Sequence, residues 1–408
     1  MSPRALRIGI DGTSWTDRRG IGRYTRSLLT ALAERHDVEE YLVFVDPQTA
    51  AASDFPAGFE KVVVATRQPP GRAASPSSRR DLRDVISMSW AAARRSLDVF
   101  FFPSTFSYFP LLRPTRVVLA LHDVTPERYP DLMFARRRFA FFSSVKRRIA
   151  LRQADVILAG SEYARESIVE QLRLPARRIR VILDAPAAIF RPMAHARDPA
   201  DLLGACVLPR GSRYLLYVGA IGVQKNLPVL LVAFRRLAAE PRFATLRLLL
   251  IGDHTADMYQ AARQELETLA ARHGLAERMC VAGFVSDEVL VELYNRAELV
   301  VLPSLDEGFG LPAFEAAACG TGAVVSESGP AGGLLGPAVW TFPPRDVSAL
   351  TAALAMLLDD PLRRRRMGDE GLRRASAFTW DRAAAELHAL FRELARKRTA
   401  GDRLARGL

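Results

Sequence analysis

Short, almost wholly apolar runs alternate with stretches of helical periodicity along the whole chain. Runs that are apolar at successive positions predict strands buried on both faces, as in a parallel sheet covered by helices. The first half of the chain therefore predicts an open α/β layer structure. Its six runs are RIGID, YLVFVD, KVVVA, DVFFFP, RVVLALHD and ADVILAGS, at residues 7–11, 41–46, 61–65, 98–103, 116–123 and 154–161.

A second set of apolar runs begins after residue 200, and each run is followed by a helical stretch. Between the two sets, the prolines and charges of IFRPMAHARDPADL interrupt both periodicities and predict a linker near residues 186–205. The five runs of the second set are RYLLYVG, LRLLLIG, RMCVAGF, AELVVLPS and GAVVS, at residues 213–219, 246–252, 278–284, 297–304 and 322–326.

Two sets of strands in a chain of 408 residues predict two domains, because one ordinary core does not grow to this size. We expect domains over residues 1–190 and 205–375, and a final helix over residues 376–408 that returns to the first domain. The fold class is α/β, with two Rossmann-like, doubly wound parallel-sheet domains facing each other across a cleft. Ligands of such sheets bind beyond the carboxyl ends of the strands.

Composition narrows the class of protein. The three cysteines, Cys206, Cys280 and Cys319, are far apart in apolar contexts, which predicts no disulfide framework and favours a reducing cytoplasm. No stretch approaches the roughly 18 apolar residues of a membrane span, and the first residues lack a signal core. The net charge of +12 comes without the interleaved aromatic residues or motif of a nucleic-acid-binding protein. The Pro-, Ser- and Arg-rich segment 67–80 predicts a surface loop.

The segment LPSLDEGFGLPAFEAAACG contains the strongest chemical signal. It predicts a buried strand, a loop with Glu307, two glycines, and a helix that begins near Leu311 or Pro312. Glycines allow a close approach to a ligand, and the amides of a first helical turn favour an anion such as a diphosphate. Glu315 lies about one turn into the helix, and an ionised carboxylate accepts hydrogen bonds from the hydroxyls of a sugar or ribose.

The alternative for this segment is a structural turn whose two glutamates are a helix-terminus charge and a solvated side chain. The context of Glu315 argues against that alternative, because the surrounding helix LPAFEAAAC is almost wholly apolar. An unpaired carboxylate would be costly there. Glu315 therefore needs a partner that the local sequence does not supply.

The same segment resembles the signature of the retaining glycosyltransferases of family 4, which is a Glu, seven residues and a second Glu. The resemblance extends over nearly the whole chain, and it is closest to the bacterial polysaccharide mannosyl- and rhamnosyltransferases. It implies the GT-B fold of two Rossmann-like domains around a cleft, with the acceptor on the first and the nucleotide sugar on the second. The further matching segments are RGIGRYTRSLL, ALHDVTPERYP, GSEYARESI, YVGAIGVQKNL and FTWDRAA.

The resemblance also implies roles for individual residues. Glu307 would contact the donor sugar and Glu315 the ribose hydroxyls. Lys225 would neutralise the leaving diphosphate, which is stabilisation aimed at developing charge. The remaining residues of the donor site would be Gly219 and, through their backbone amides, Phe309, Gly310 and Leu311.

In the first domain, His122 closes the strand RVVLALHD and is therefore expected at the carboxyl end of the sheet. The matching histidine of the family touches the donor sugar or the transition state. Asp123 could orient the ring or cap the next helix. Gly20 and Gly22 precede a helix predicted from about Arg23 to Glu34, where they form either a phosphate or sugar site or a purely structural turn.

Three features depart from the family or leave alternatives open. Many relatives carry Arg or Thr at the position of Ala220 and Arg at that of Gln224, so a phosphate-binding cation is missing here. The role of TGAVVSESGPAGGLL is open. The segment DLMFARRRFAFFSSVKRRIALRQ, with an apolar stripe at Phe134, Phe141, Val145 and Ile149, predicts either an amphipathic helix on an anionic membrane or a helix packed on its own core. Its basic residues are Arg136, Arg137, Lys146, Arg147 and Arg148.

These patterns together predict transfer of a hexosyl group from a nucleoside-diphosphate sugar to a hydroxyl of a glycan, lipid-linked or small-molecule acceptor, with retention. GDP-mannose is the expected donor by resemblance. Neither a metal nor another cofactor is expected, since no DxD motif or zinc-ligand cluster is found. The expected location is cytoplasmic, with possible peripheral contact with an anionic membrane. The alternatives are a sugar-nucleotide epimerase of the same fold and a degenerate, non-enzymatic partner subunit.

Overall fold

The structure is a computed structural model that describes residues 5–35, 39–67, 81–129, 137–203, 208–252 and 257–405. The predicted surface loop at 67–80 lies outside these ranges apart from its first residue, as do Phe134, Arg136 and Cys206. The chain forms two compact units. The first comprises Met1–Asp184 and Trp380–Leu408, and the second comprises Ala185–Thr379.

The first unit is built on a seven-stranded sheet whose neighbouring strands are all parallel. The strand order is β3-β2-β1-β4-β5-β6-β7, so the direction of winding reverses between β1 and β4. A reversal of this kind places the ligand crevice at the carboxyl ends of the strands. The strands are β1 (Arg7–Asp11), β2 (Glu40–Val45), β3 (Glu60–Val63), β4 (Val99–Phe102), β5 (Arg116–Ala120), β6 (Val156–Ala159) and β7 (Ile179–Val181).

Helices pack against the sheet of the first unit and explain why its strands are apolar at successive positions. They are α1 (Gly20–Glu34), α2 (Pro47–Ala50), α3 (Leu82–Ala93), α4 (Thr125–Arg128), α5 (Arg137–Gln153), α6 (Glu162–Leu172) and, in chain order, α15 (Trp380–Ala405). One core cluster joins the strands to α3, α5 and α6 through Met88, Ala150 and Ile168. Helix α1 packs against α15 instead.

The second unit is built on a six-stranded parallel sheet with the order β10-β9-β8-β11-β12-β13. Its strands are β8 (Tyr214–Val218), β9 (Arg247–Ile251), β10 (Met279–Gly283), β11 (Leu299–Leu302), β12 (Ala323–Ser326) and β13 (Val339–Phe342). Its helices are α7 (Pro199–Leu202), α8 (Leu227–Ala238), α9 (Asp257–Arg272), α10 (Asp287–Arg296), α11 (Leu311–Ala318), α12 (Ala331–Leu335), α13 (Val347–Asp359) and α14 (Pro361–Ala375). The prediction of two doubly wound parallel sheets is thus confirmed.

Three details differ from the sequence predictions. Helix α1 begins at Gly20 rather than near Arg23, so both glycines of the predicted turn lie in its first turn. The short strands β7 and β13 were not predicted, because each mixes buried with exposed positions and lacks a continuous apolar run. The expectation that the cysteines form no disulfide is wrong for Cys280, which is disulfide-bonded. Separation along the sequence does not determine which residues meet in the fold.

Candidate functional site

An ion pair joins the turns that follow two neighbouring strands of the second unit. Strands β8 and β11 are paired in parallel, so their carboxyl ends lie side by side. Lys225, in the turn after β8, donates from Nζ to Oε1 of Glu307, in the turn after β11, at 2.6 Å. Ser304 Oγ donates to the same carboxylate oxygen at 2.7 Å. Both charged side chains are 22% exposed, so a ligand can reach them.

Backbone hydrogen bonds fix the two turns to each other. Leu305 N donates to the carbonyl oxygen of Gln224 at 2.9 Å. Asn226, whose φ of 55° is left-handed, donates from Nδ2 to the carbonyl oxygen of Pro303 at 3.0 Å. Glu307 N donates to the carbonyl oxygen of Ser328 at 3.0 Å. The loop around Ser328, whose role the sequence left open, therefore holds the backbone of Glu307.

Helix α11 begins directly after this loop. Gly310 precedes it with a φ of 83°, a conformation that glycine adopts without steric cost. No side chain caps the helix, so Leu311 begins a first turn whose amides can face an anion. The side chain of Phe309 is buried and stacks on Phe314, with ring centroids 4.1 Å apart. The ring of Phe309 thus anchors the turn, and the backbone amide of Phe309 is the group that can donate to a ligand.

Glu315 lies inside the second unit and is only 1% exposed. The hydroxyl of Tyr294, on α10, donates to Glu315 Oε2 at 2.7 Å. Tyr294 is itself fully buried. This tyrosine is a partner that the local sequence did not supply, and it comes from a helix 21 residues earlier. Burial, together with the charge of Glu315, raises the pKa of the neighbouring Cys319 thiol to about 12.

The turn after β8 is tightly packed at Gly219. A side chain added there would place Cβ 2.7 Å from the hydroxyl of Tyr217, which donates to the carbonyl oxygen of Ala220 at 2.7 Å. The side chain of Gln224 lies over Gly222, where an added Cβ would be 2.5 Å from Gln224 Oε1. Gln224 therefore packs within its own turn.

In the first unit, His122 lies just beyond β5 with its ring held on two sides. Its Nε2 lies 2.8 Å from the carbonyl oxygen of Pro103 and must be the donor, since a carbonyl only accepts. The ring of Tyr24, on α1, packs against it at 4.5 Å between centroids with an interplanar angle of 76°. Trp380, the first residue of α15, packs edge-on against Tyr24 at 5.6 Å. The hydrogen bond to Pro103 uses Nε2, so Nδ1 is the ring nitrogen of His122 that remains for a ligand.

The two glycines of α1 differ in their surroundings. A Cβ on Gly22 would lie 1.8 Å from the carbonyl oxygen of Asp17, so close backbone packing requires glycine there. A Cβ on Gly20 would meet nothing within 4 Å. Of these two glycines, Gly20 is the one that leaves space at the start of the helix. Asp123, for its part, accepts from Thr125 N at 3.0 Å and so caps the next helix.

Asp184 is a buried carboxylate that was not predicted from the sequence. It lies just past β7, and its Oδ2 is 3.0 Å from the position that a Cβ on Gly160 would occupy. Burial raises the pKa of Asp184 to about 6, and the nearby His122 partly offsets that effect. Its position after a strand end is the signal that could have found it.

The basic segment of α5 makes several internal contacts. Arg147 is buried against Glu127, and Lys146 Nζ donates to the carbonyl oxygen of Phe106. By contrast, Val145 and Ile149 are 40% and 45% exposed. The helix is therefore tied to its own unit by two cations while it exposes part of the predicted apolar stripe. The side chains of Arg137 and Phe141 lie outside the described part.

Comparison with known families matches most of the chain to two models. The model for glycosyl transferases group 1 matches residues 206–374, which include Lys225, Glu307 and Glu315. The model for glycosyltransferase family 4 matches residues 18–183, which include His122. The chain belongs to glycosyltransferase family 4. Both models describe transferases, so the epimerase alternative is not favoured.

Curated relatives of this glycosyltransferase include mannosyltransferases. It is 29% identical over 382 residues to the O-antigen chain mannosyltransferase B of Escherichia coli, covering 90% of this chain and 94% of that protein. It is 30% identical over 298 residues to the MMP alpha-(1->4)-mannosyltransferase of Mycolicibacterium hassiacum. That match covers 69% of this chain and 65% of the relative.

Solved structures of similar fold confirm the GT-B prediction. A sucrose-phosphate synthase from Thermosynechococcus elongatus matches with a TM-score of 0.75 and 22% identity, covering 96% of this chain and 99% of that chain. WaaG, a glycosyltransferase involved in lipopolysaccharide biosynthesis, matches with a TM-score of 0.71 and 13% identity, covering 95% and 99%. At these identities, the likeness concerns the fold alone.

In the described part of this glycosyltransferase, no three His, Cys, Asp or Glu side chains converge as metal ligands would. No helix there is both long and apolar enough to cross a membrane.

The Tyr294 hydrogen bond gives a stability prediction for this glycosyltransferase. Tyr294→Phe removes a donor from the buried Glu315 carboxylate and should lower the free energy of unfolding by about 1.5–3 kcal/mol. Tyr214→Phe is the matched control, because Tyr214 is equally buried and donates to the neutral carbonyl of Leu293 at 2.7 Å. Thermal denaturation should show a larger loss for Tyr294→Phe. Equal losses would mean that Glu315 does not rely on this hydroxyl.

Proposed function

We propose that this glycosyltransferase moves a hexosyl group from a nucleoside-diphosphate sugar to a hydroxyl of a glycan, lipid-linked or small-molecule acceptor, with retention at the anomeric carbon. The observation that carries the proposal is the Lys225–Glu307 pair beside the uncapped start of α11. Mannose from GDP-mannose is the proposed donor group, because two relatives are named mannosyltransferases.

The positive charge for the diphosphate comes from two sources. The amides at Phe309, Gly310 and Leu311 present the positive end of the α11 dipole, and Lys225 supplies a full charge. In the free protein, Lys225 is neutralised by Glu307 at 2.6 Å. Donor binding lets the ammonium turn to the diphosphate and frees a Glu307 oxygen to accept from a sugar hydroxyl. Lys225 then neutralises the leaving group as the glycosidic bond breaks.

Glu315 is assigned to the ribose hydroxyls. Its carboxylate accepts from Tyr294, and two carboxylate oxygens offer about four lone-pair sites in all. Because the group is buried, a hydrogen bond to it is electrostatically stronger than one in water. The acceptor hydroxyl passes its proton to a diphosphate oxygen, so no carboxylate base is required. We also propose that no metal or other cofactor takes part. Lys225 and the N-terminus of α11 supply the positive charge that a metal ion would otherwise provide.

Donor binding tests these two carboxylates separately. GDP lacks the sugar and GDP-mannose carries it, so calorimetry with both ligands distinguishes a ribose contact from a sugar contact. Glu315→Gln should weaken both ligands roughly ten- to hundredfold, because each loses a hydrogen bond to a charge. Glu307→Gln should weaken only GDP-mannose and leave GDP binding unchanged or tighter, because Lys225 loses its internal partner.

The control for this pair is Glu265→Gln, an exposed glutamate on α9 of the same unit, which should bind both ligands as the wild type does. A thermal-shift screen of GDP, UDP and dTDP with their sugars first establishes which base binds. The assignment fails if Glu315→Gln binds the nucleoside diphosphate like the wild type. It also fails if Glu307→Gln weakens the diphosphate as much as the sugar nucleotide.

We further propose that this protein works in the cytoplasm and touches an anionic membrane through the first unit. Helices α3 and α5 share one core cluster with the sheet, so they lie on the same face of it. Their outer sides, with the loop between β4 and β5, form what we call the outer apolar face. Its large exposed apolar residues are Leu82, Ile86, Trp90, Leu112, Val145 and Ile149.

Charge on the outer apolar face favours anionic lipid. Its exposed arginines are Arg83, Arg94, Arg113, Arg148 and Arg152, and no acidic residue is exposed on the described parts of α3, α5 or this loop. Leu82, Ile86 and Trp90 are four residues apart and so form one stripe on α3. A tryptophan-containing apolar stripe bordered by arginines is typical of helices that lie in the membrane interface.

Vesicle binding tests this surface. The wild type should sediment with vesicles of phosphatidylglycerol and phosphatidylcholine, and less so as salt rises, because screening weakens the attraction. Ile86→Ser with Trp90→Ser should reduce the bound fraction roughly tenfold or more. The reason is that burial of each apolar side chain in the membrane contributes about 1.5–3 kcal/mol to the free energy of binding. Leu362→Ser, at a residue 69% exposed in the second unit, is the control and should bind normally. Unchanged binding by the double variant would exclude this face.

A further inference from the structure

The linker between the two units is tied to helix α10. Met193 N donates to Asn295 Oδ1 at 2.8 Å, and Asn295 Nδ2 donates to the carbonyl oxygen of Arg191 at 3.0 Å. Further along the linker, Arg197 donates to the buried carboxylate of Glu292 from its backbone N at 2.7 Å and from Nη2 at 2.6 Å. The linker is therefore held on α10 by hydrogen bonds at two places.

The same linker buries an aromatic ring against α10. Phe190 is 4% exposed, and its ring meets the ring of Tyr294 edge to face, with centroids 5.6 Å apart and an interplanar angle of 83°. This arrangement is a favoured one for aromatic pairs, because the positive edge of one ring faces the negative face of the other. Phe190 keeps its place because the neighbouring backbone at Arg191 is fixed by Asn295.

Tyr294 transmits this constraint to the buried carboxylate of Glu315. Thr321 Oγ1, between α11 and β12, donates to the carbonyl oxygen of Tyr294 at 2.7 Å and so fixes the tyrosine backbone. A tyrosine side chain has only two rotatable bonds, so contacts at its backbone and ring determine where its hydroxyl lies. That hydroxyl donates to Glu315 Oε2 at 2.7 Å. The orientation of the carboxylate therefore depends on a ring that the linker supplies.

We propose that Phe190 and Tyr294 are positioning residues that hold Glu315 in the orientation that receives the ribose hydroxyls. This inference rests on the proposed function for the contact between Glu315 and ribose, and it extends the donor site to the linker. Both aromatic residues act through Glu315. Their effect on binding follows from geometry, because a carboxylate that accepts from two neighbouring hydroxyls tolerates little displacement.

Two ligands that differ only in the ribose separate positioning from general stability. GDP carries both ribose hydroxyls and dideoxyguanosine diphosphate carries neither, so the ratio of their dissociation constants measures recognition of the hydroxyls. In calorimetry on the whole chain, the wild type should bind GDP roughly tenfold or more tightly than the dideoxy ligand. Phe190→Leu should lower this ratio roughly threefold or more and leave binding of the dideoxy ligand unchanged. If the screen identifies another base, its two diphosphates take their place.

A double-variant cycle tests whether Phe190 acts through Tyr294. Tyr294→Phe removes the hydroxyl and should lower the ratio more than Phe190→Leu does. Because the two residues act in one series of contacts, the double variant should discriminate no worse than Tyr294→Phe alone. The controls are Phe243→Leu, at a buried phenylalanine before β9, and Tyr214→Phe, whose hydroxyl donates to a neutral carbonyl. Both controls should keep the wild-type ratio.

A second single variant covers the case in which Phe190→Leu does not fold. Asn295→Ala releases the linker backbone and leaves both rings in place, so it should lower the same ratio by a smaller factor. The positioning role is overturned if the variant that folds keeps the wild-type ratio, if it weakens both ligands equally, or if the effects of Phe190→Leu and Tyr294→Phe add. A wild type that binds both ligands equally overturns the ribose assignment of Glu315 as well, which distinguishes the two failures.

Discussion

Burial of every central strand on both faces is the constraint on which both units depend. A strand such as β8 or β11 is buried along its whole length, so it offers no place for a charged side chain. The polar groups of the candidate site therefore come from beyond the carboxyl ends, where parallel strands finish side by side. Lys225 and Glu307 occupy such turns in the second unit. His122 and Asp184 occupy them in the first.

Both carboxylates of the candidate donor site have a partner within the second unit. Lys225 neutralises Glu307, and the Tyr294 hydroxyl donates a hydrogen bond to Glu315. Partly or fully buried charges would be costly without such partners. The Lys225–Glu307 pair is the more accessible of the two, and each member has a natural partner on a nucleotide sugar. A nucleotide sugar can therefore replace the contact between Lys225 and Glu307 with its own contacts to both side chains. Neither charge is then left without a partner when the sugar nucleotide binds.

Much of this architecture could be predicted from the sequence, because apolar runs, glycines and strand ends are local features. Every strand except β7 and β13, the loop with Glu307 and the placement of His122 at a strand end followed from local pattern. Contacts between distant residues did not. Lys225 and Glu307 are separated by 82 positions, and only the pairing of β8 with β11 brings them together. The disulfide of Cys280 and the carboxylate of Asp184 over Gly160 were missed for the same reason.

Hydrogen–deuterium exchange of the whole chain, with and without the sugar nucleotide that binds it, tests most directly the claim that the turn before α11 is the donor site. The account predicts slowed exchange for the backbone amides from Glu307 to Glu315 and around Lys225, because the diphosphate would accept from the first-turn amides. The nucleoside diphosphate alone should protect the same amides. Tight donor binding that leaves both turns unprotected, and protects amides elsewhere instead, would contradict it.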